Sequence, residues 1–202
     1  MTALAMVPTG TANTASVKAA FQRLGVTLSV VSAADDVASA DALVLPGVGA
    51  FGAAISQVDA LGLRRSLQDR IEADRPTLAI CVGMQLLSPG SEESPEASGL
   101  GVIDTPIARF GLDLTVPQLG WNQVEAAPGS RFVESGWAYF ANSFRLGTVP
   151  EGWVGASTEY GGEFVSAMER GHVLACQFHP ELSGQWGARL LARWLADTGV
   201  TP

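Results

Sequence analysis

A cysteine, a histidine and a glutamate of this chain have the types and spacing that nucleophilic catalysis requires. Cys81 stands between the apolar run Thr77–Ile80 and a short helical pattern starting at Val82, so we expect it at a sharp strand-to-helix turn of the nucleophile-elbow type. The partial positive charge at a helix start favours thiolate over thiol there. His179 ends a second apolar run, and Glu181 follows at an interval that in extended geometry projects both side chains to the same side. The histidine would withdraw the thiol proton and return it to the leaving group, while the glutamate would hold the imidazole in the useful tautomer.

Each of these three residues also has an ordinary structural explanation. A lone cysteine is more often a buried apolar residue than a nucleophile. A histidine at a strand end can be satisfied by backbone groups, and Glu181 could be a solvated carboxylate that caps the last helix. The catalytic interpretation is favoured because Cys81 and His179 both end buried strands, and the sites of open α/β sheets form at the carboxyl ends of strands. The other histidine, His172, lies in a polar turn and is given no role, and we predict neither a metal nor a cofactor.

An acyl-transfer nucleophile also needs N–H groups that stabilise the developing oxyanion. Gly47, Val48 and Gly49 follow a third apolar strand, so their N–H groups are expected to point into the same crevice. The N–H of Val82, next to the nucleophile, is the other expected donor. The alternative for this segment is a glycine-rich strand-to-helix turn without catalytic function.

The elements of the first half are those of a parallel sheet covered by helices. Apolar runs predict strands at residues 4–7, 26–31, 43–45 and 77–80. The helix between the first two strands is capped by Asn13 or Thr14 and closed by Gly25. Its predicted apolar face carries Val17, Phe21 and Leu24, and that of a later helical stretch carries Leu63, Leu67 and Ile71. The resulting order β-α-β-β-α-β-α is typical of a parallel α/β sheet.

The second half predicts a smaller antiparallel part. Short apolar or aromatic runs indicate strands at residues 102–103, 122–124, 137–140, 153–157 and 163–168, with a hairpin turn at 159–162. A buried strand at 173–178 leads to His179, and a final helix at 184–196 carries Trp186, Leu190 and Trp194 on one stripe. Residues 89–99 are predicted to form a long exposed loop. The fold class is therefore α/β, one domain over residues 1–202 with an open, mixed, mostly parallel sheet flanked by helices.

Composition narrows the classes of function. Of 202 residues, 47% are hydrophobic and 16% charged, which is typical of a globular chain and not of a disordered one. A net charge of −8 argues against binding to nucleic acid or an anionic membrane. No apolar run has transmembrane length and no basic signal region is visible, so we expect a cytoplasmic protein. The chain has two cysteines, and Cys176 is expected near Cys81 without a disulfide in the reduced protein.

Three motifs, in this order along the chain, give the sequence a family resemblance: Pro-Gly-Val-Gly at 46–49, Cys-Val-Gly-Met-Gln at 81–85 and Gln-Phe-His-Pro-Glu at 177–181. They resemble the class I, triad-type glutamine amidotransferases, and the likeness extends over the whole chain. Finer segments are similar to one subfamily, the glutaminase subunits of imidazole glycerol phosphate synthase in histidine biosynthesis. Those segments are residues 9–13, 91–94, 119–122, 139–144 and 183–184.

The resemblance implies roles for further residues. Cys81 would attack the side-chain amide of glutamine, releasing ammonia and leaving a thioester that water converts to glutamate. The positions that match those holding glutamine are Gln85, Glu93, Ser143 and Phe144, and Glu93 would pair with the ammonium group of the substrate. The oxyanion strand of this family can require a rearrangement before it works. The implied partner is a cyclase subunit with a (β/α)8-barrel fold, which receives ammonia in a heterodimer and makes imidazole glycerol phosphate and an aminoimidazole carboxamide ribotide. The positions that match those facing this partner are Trp121, Asn122 and Tyr139; Trp121 is equally compatible with simple burial in the core.

The chain departs from the family pattern at a few positions outside the triad. They are Pro8, Ala79, Asn142, Phe144 and Leu182, where the family usually has Asp, Gly, His, Tyr and a basic residue. These changes bear on interface contacts and on coupling to the partner more than on the reaction. Two other functions therefore stay open: a glutaminase serving another acceptor, as in anthranilate synthase or pyridoxal phosphate synthase, and a catalytically silent subunit that only binds its partner.

Overall fold

The computed structural model describes residues 4–10 and 14–200. Five parallel strands form one part of the sheet, in the order β2-β1-β3-β4-β11. They are β1 (Leu4–Met6), β2 (Leu28–Val30), β3 (Ala42–Leu45), β4 (Thr77–Ile80) and β11 (Val173–Cys176). Every residue of β3, β4 and β11 is buried, which is why these strands read as continuous apolar runs. The predicted mixed α/β sheet is confirmed.

Helices cover this part of the sheet. They are α1 (Thr14–Arg23), α2 (Ala34–Ser39), α3 (Phe51–Ala60), α4 (Arg64–Glu72), α5 (Val82–Gln85) and α6 (Gly184–Thr198). The predicted cap at Asn13 lies outside the described residues. The prediction had no helix between β2 and β3, and this is wrong, because α2 makes that crossover. Only Val37 of α2 is buried, so the sequence shows no helical period of apolar residues there. A start signal does exist, because the Asp36 carboxylate accepts hydrogen bonds from the N–H groups of Ser32 and Ala33.

Antiparallel strands extend the sheet from β11 in the order β10-β9-β6-β7, and a β5–β8 pair joins at β10. These strands are β5 (Ile107–Arg109), β6 (Gln118–Ala126), β7 (Gly136–Asn142), β8 (Phe144–Leu146), β9 (Val154–Glu159) and β10 (Glu163–Arg170). The predicted hairpin turn at 159–162 is confirmed. The predicted strand at 102–103 is wrong, because these residues form a bend. The N–H groups of Val102 and Ile103 both donate to the carbonyl of Leu87, just after α5.

The loop at residues 89–99 is not simply exposed, and here the prediction is wrong in part. Ser91, Ser94 and Gly99 are buried. The Phe51 N–H donates to Glu93 Oε2 at 2.7 Å, and the Gly52 N–H donates to Ser94 Oγ at 3.1 Å. The first N–H groups of a helix have no partner within the helix, and the methyl group of Ala50, which precedes α3, cannot accept a hydrogen bond from them. The polar loop supplies those acceptors and is ordered as a result.

One hydrophobic core joins both halves of the described chain. Phe110, Phe140, Phe164 and Phe178 pack edge-to-face with ring centroids 5.2–5.9 Å apart. The final helix α6 packs onto this core through Leu190 and Trp194, as predicted. No helix among residues 4–10 and 14–200 is both long enough and apolar enough to cross a bilayer.

Candidate active site

Cys81 occupies a strained turn between β4 and α5. Its backbone has φ 54° and ψ −112°, a region that residues with a side chain rarely adopt. The Cys81 N–H donates to the Cys176 carbonyl at 2.7 Å, which ties the turn to β11. A side chain on Gly83 would overlap the carbonyl oxygen of Leu45, so only glycine lets α5 approach β3 so closely. This is the elbow geometry that the sequence predicted.

His179 and Glu181 lie together beside this elbow. His179 Nδ1 is 2.9 Å from Glu181 Oε1, and the two side chains are only 4% and 3% exposed. The prediction placed Glu181 by extended geometry, and this reason is wrong, because residues Pro180–Leu182 form a 3-10 turn. The turn folds the carboxylate back onto the ring, and the remaining ring nitrogen, Nε2, is then the one available to the thiol.

The charges of the two neighbours control the protonation of His179. Burial disfavours the imidazolium, but hydrogen bonds to Cys81 and Glu181 and the negative charges of both groups outweigh it and raise the pKa of His179 to about 10. The imidazole is therefore a cation at neutral pH, placed between the side chains of Cys81 and Glu181. By contrast, burial, followed by the charges of Glu169 and Glu181, raises the pKa of Cys176 well above its usual value. Both cysteines are free thiols.

Cys81 lines a cavity of about 400 Å³. Besides Cys81 and His179, its lining contains all four residues predicted to hold the substrate: Gln85, Glu93, Ser143 and Phe144. The Glu93 carboxylate lies at one side, fixed by the N-terminus of α3. Val48, Gly49 and Val82 also line the cavity, whereas Gly47 does not.

Gln177 contacts Cys81, and the sequence prediction assigned it no role. This side chain is completely buried, and its Nε2 donates to Cys81 Sγ at 3.7 Å. Its Oε1 accepts a hydrogen bond of 3.0 Å from Gln85 Nε2. A sequence signal existed, because Gln177 stands two residues before His179 at the end of a strand, an interval that places both side chains on the same side.

Comparison with known proteins decides the family. The model of the class-I glutamine amidotransferases matches residues 6–197. The chain belongs to the class-I glutamine amidotransferase family. The imidazole glycerol phosphate synthase subunit HisH of Deinococcus radiodurans is 40% identical over 191 residues, which cover 92% of this chain and 89% of that protein. The HisH subunit of Symbiobacterium thermophilum is 38% identical over 198 residues, covering 96% and 93%.

A longer relative and a solved structure are also similar to this chain. The chloroplastic imidazole glycerol phosphate synthase hisHF of Arabidopsis thaliana is 38% identical over 193 residues, which cover 92% of this chain but only 33% of that protein. The solved structure of a glutamine amidotransferase has the same fold, with a TM-score of 0.77 at 22% identity, covering 97% of this chain and 99% of the other.

The segment 47–49, which the sequence predicted to bind an oxyanion, packs closely against the Cys81 elbow. The Val82 N–H donates to the Gly47 carbonyl at 3.3 Å, so one of the predicted oxyanion donors is already engaged. A side chain on Gly47 would lie 2.8 Å from the backbone nitrogen of Gly83, which shows how closely the two segments pack. Gly49 has a φ of 88°, a value that suits glycine at the bend into α3. An oxyanion can reach the Val82 N–H only after the Gly47 carbonyl has turned away.

An apolar face of the amidotransferase lies on the outside of β6 and β7. Leu119, Trp121 and Trp137 are 68%, 54% and 57% exposed, so the core explanation of Trp121 is wrong. Trp121 meets Tyr139 edge-to-face at 6.2 Å. Asn122 does not share this face, since successive strand residues alternate, and its Nδ2 donates to the Glu159 carbonyl.

Ser183 connects this face to His179. The Tyr139 N–H donates to Ser183 Oγ at 2.9 Å, and Ser183 Oγ donates to the His179 carbonyl at 2.6 Å. The His179 N–H in turn donates to the Tyr139 carbonyl at 2.9 Å. The backbone of β7 therefore holds the segment that carries His179 and Ser183, while side chains of the same strand, such as Trp137, form part of the exposed apolar face.

Proposed function

We propose that this amidotransferase is the glutaminase subunit of an imidazole glycerol phosphate synthase in histidine biosynthesis. The observation that carries the proposal is the Cys81–His179–Glu181 arrangement under a cavity that also contains the Glu93 carboxylate. The similarity to HisH subunits over nearly the whole chain supports the choice of pathway.

The reaction follows from the charge state of the triad. The Cys81 thiolate attacks the side-chain carbonyl carbon of glutamine, and the negative charge moves to its oxygen. The His179 imidazolium then gives its proton to the leaving nitrogen, so that ammonia departs and a γ-glutamyl thioester remains on Cys81. The imidazole, now neutral, takes a proton from water as the water attacks the thioester. Glutamate leaves, and thiolate and imidazolium are restored, with Glu181 holding the ring throughout.

Substrate recognition is proposed to use charge at Glu93. Free glutamine carries an ammonium group that loses its hydration in the cavity, and the Glu93 carboxylate is the acid that lines it. Its second oxygen accepts from the start of α3, so the carboxylate is held in place before the substrate arrives. Ser143 and Phe144 also line this cavity.

Ammonia would pass to a partner that contacts the outer face of β6 and β7. Three large exposed apolar side chains, Leu119, Trp121 and Trp137, are unusual for a surface that faces only water. The Arabidopsis relative is three times longer than the matched region, and its name joins two subunits in one chain. We therefore place a cyclase subunit of (β/α)8-barrel fold against this face, in a heterodimer.

One observation favours the alternative of a catalytically silent subunit: the Val82 N–H is bonded to Gly47 and is not free for an oxyanion. In the proposed function this bond is exchanged when the loaded partner binds. The test is glutamate release from glutamine by the protein alone, with the cyclase of the same organism, and with cyclase plus its nucleotide acceptor. Cys81→Ala serves as the control for background hydrolysis.

Strong release only with the loaded cyclase supports the proposal. Stimulation by the acceptor-binding component of an anthranilate synthase, and not by the cyclase, would assign the chain to another acceptor. No glutamate release under any condition, from folded protein with a free Cys81 thiol, would overturn the proposal and support the alternative of a catalytically silent subunit.

A further inference from the structure

Gln177 is a polar side chain in direct contact with the reacting sulfur, and the triad mechanism does not use it. We propose that Gln177 is a catalytic residue that stabilises the Cys81 thiolate by an amide N–H···S hydrogen bond, with the amide oriented by Gln85. The proposal deepens the proposed glutaminase function and rests on it for the chemistry. Its experiment, however, reads the thiol directly and needs no turnover.

The orientation of the Gln177 amide follows from an acceptor that has only one possible role. The Phe144 carbonyl can only accept, and Gln85 donates to it from Nε2 at 3.2 Å. The same nitrogen faces Gln177 at 3.0 Å, so the atom of Gln177 that meets it must be an oxygen. The nitrogen of Gln177 is then left to face Cys81 Sγ at 3.7 Å. Gln85, which lines the pocket, therefore orients Gln177 so that a hydrogen-bond donor, and not an acceptor, faces Cys81 Sγ.

The environment makes such a donor valuable. Gln177 is completely buried, Cys81 is 3% exposed and His179 is 3% exposed, so water contributes little to stabilising a thiolate. His179 supplies one donor, and Gln177 supplies a second that carries no charge and does not titrate. The backbone of Gln177 is fixed as well, because its N–H donates to the Ser166 carbonyl at 2.8 Å. Reorganisation on forming the thiolate is therefore small.

The assignment also gives Gln85 a second role. Gln85 lines the glutamine cavity and at the same time holds the Gln177 amide in its donating orientation. The Phe144 carbonyl that starts this sequence of bonds also accepts from Asn142 Nδ2 at 3.0 Å. Reordering the 142–144 segment would therefore alter the donor at the sulfur.

The experiment measures the rate of Cys81 alkylation by iodoacetamide as a function of pH, with the protein alone. The modified Cys81 peptide is quantified by mass spectrometry. Gln177→Met keeps the length but removes the donor, and Gln177→Glu keeps the acceptor for Gln85 and places an acid against the sulfur. Because a hydrogen bond to a charged group stabilises that charge, we expect alkylation near neutral pH to slow about tenfold or more, with the rate profile moved to higher pH. Gln85→Met should give a smaller change in the same direction.

Thr158→Val is the matched control, since it removes a buried hydroxyl whose hydrogen bond goes to the Gln123 carbonyl, away from the elbow. Its alkylation profile should equal that of the unmodified protein. Profiles of both Gln177 variants that coincide with the wild-type profile would overturn the proposal, whether or not the chain hydrolyses glutamine. If neither variant folds, the side-chain amide resonance of Gln177 in the wild-type protein decides. It should shift when Cys81 alone is alkylated, and an unchanged resonance would overturn the proposal.

Discussion

Replacing Cys81 with alanine should lower the pKa of the histidine beside it. In the intact site, burial lowers the pKa of His179, but Cys81 and Glu181 together raise it to about 10. Cys81→Ala removes one hydrogen bond and one negative charge and leaves the burial unchanged. A hydrogen bond to a charged group is worth about 1.5–3 kcal/mol and one pKa unit about 1.4 kcal/mol, so we expect a fall of about one to two units. Glu181→Gln should also lower the pKa, and the double variant should lower it further.

NMR titration measures this directly, because the chain contains only two histidines. A His172→Gln variant assigns the two sets of ring resonances without touching the site. The wild-type imidazolium should persist through neutral pH and lose its proton only as the pH rises through about 10. A midpoint that is equal in the wild type and in Cys81→Ala would refute the account, because it would mean that the thiolate and the imidazolium do not interact.

Three further substitutions test the scaffold and the outer face. Gly83→Ala places a Cβ on the Leu45 carbonyl, so we expect strong destabilisation and loss of Cys81 reactivity; a wild-type melting temperature would contradict this. Arg70→Met removes a buried guanidinium that donates to four backbone carbonyls and should cost about 3 kcal/mol or more in urea unfolding, with normal activity in the folded fraction. Trp121→Ala should weaken cyclase binding by tenfold or more in calorimetry while leaving the melting temperature unchanged, and an equal affinity would place the interface elsewhere.

The meeting of Cys81 and His179 could be predicted because both residues follow continuous apolar runs, and such runs are central strands of a parallel sheet. Cys81 follows β4 directly and His179 lies three residues after β11, and the two strands are hydrogen-bonded neighbours, so both residues lie at the same edge of the sheet. The contact of Glu181 was predicted for the wrong reason. Pro180 begins a 3-10 turn, and that local geometry brings the carboxylate to the imidazole.

Features that depend on polar contacts over long sequence distances were not predictable. The order of residues 89–99 comes from the unsatisfied N–H groups of α3, some forty residues earlier in the chain. The role of Gln177 depends on Gln85, which is distant in sequence, and hydrophobic periodicity carries no information on such pairs. The separation of Asn122 from Trp121 follows from the alternation of strand residues, but the predicted strand at 122–124 began after Trp121, whereas β6 begins at Gln118.

The central claim is that Cys81 is the nucleophile of a glutamine-binding cavity. The most direct test is to incubate the protein, with its loaded cyclase, with the glutamine analogue 6-diazo-5-oxo-norleucine and to map the adduct by mass spectrometry. We expect one adduct per chain on Cys81 and protection by glutamine. We expect no adduct on Cys176, because burial raises the pKa of that thiol well above its usual value. An adduct on Cys176 or elsewhere, or no adduct on a folded chain with a free Cys81 thiol, would contradict it.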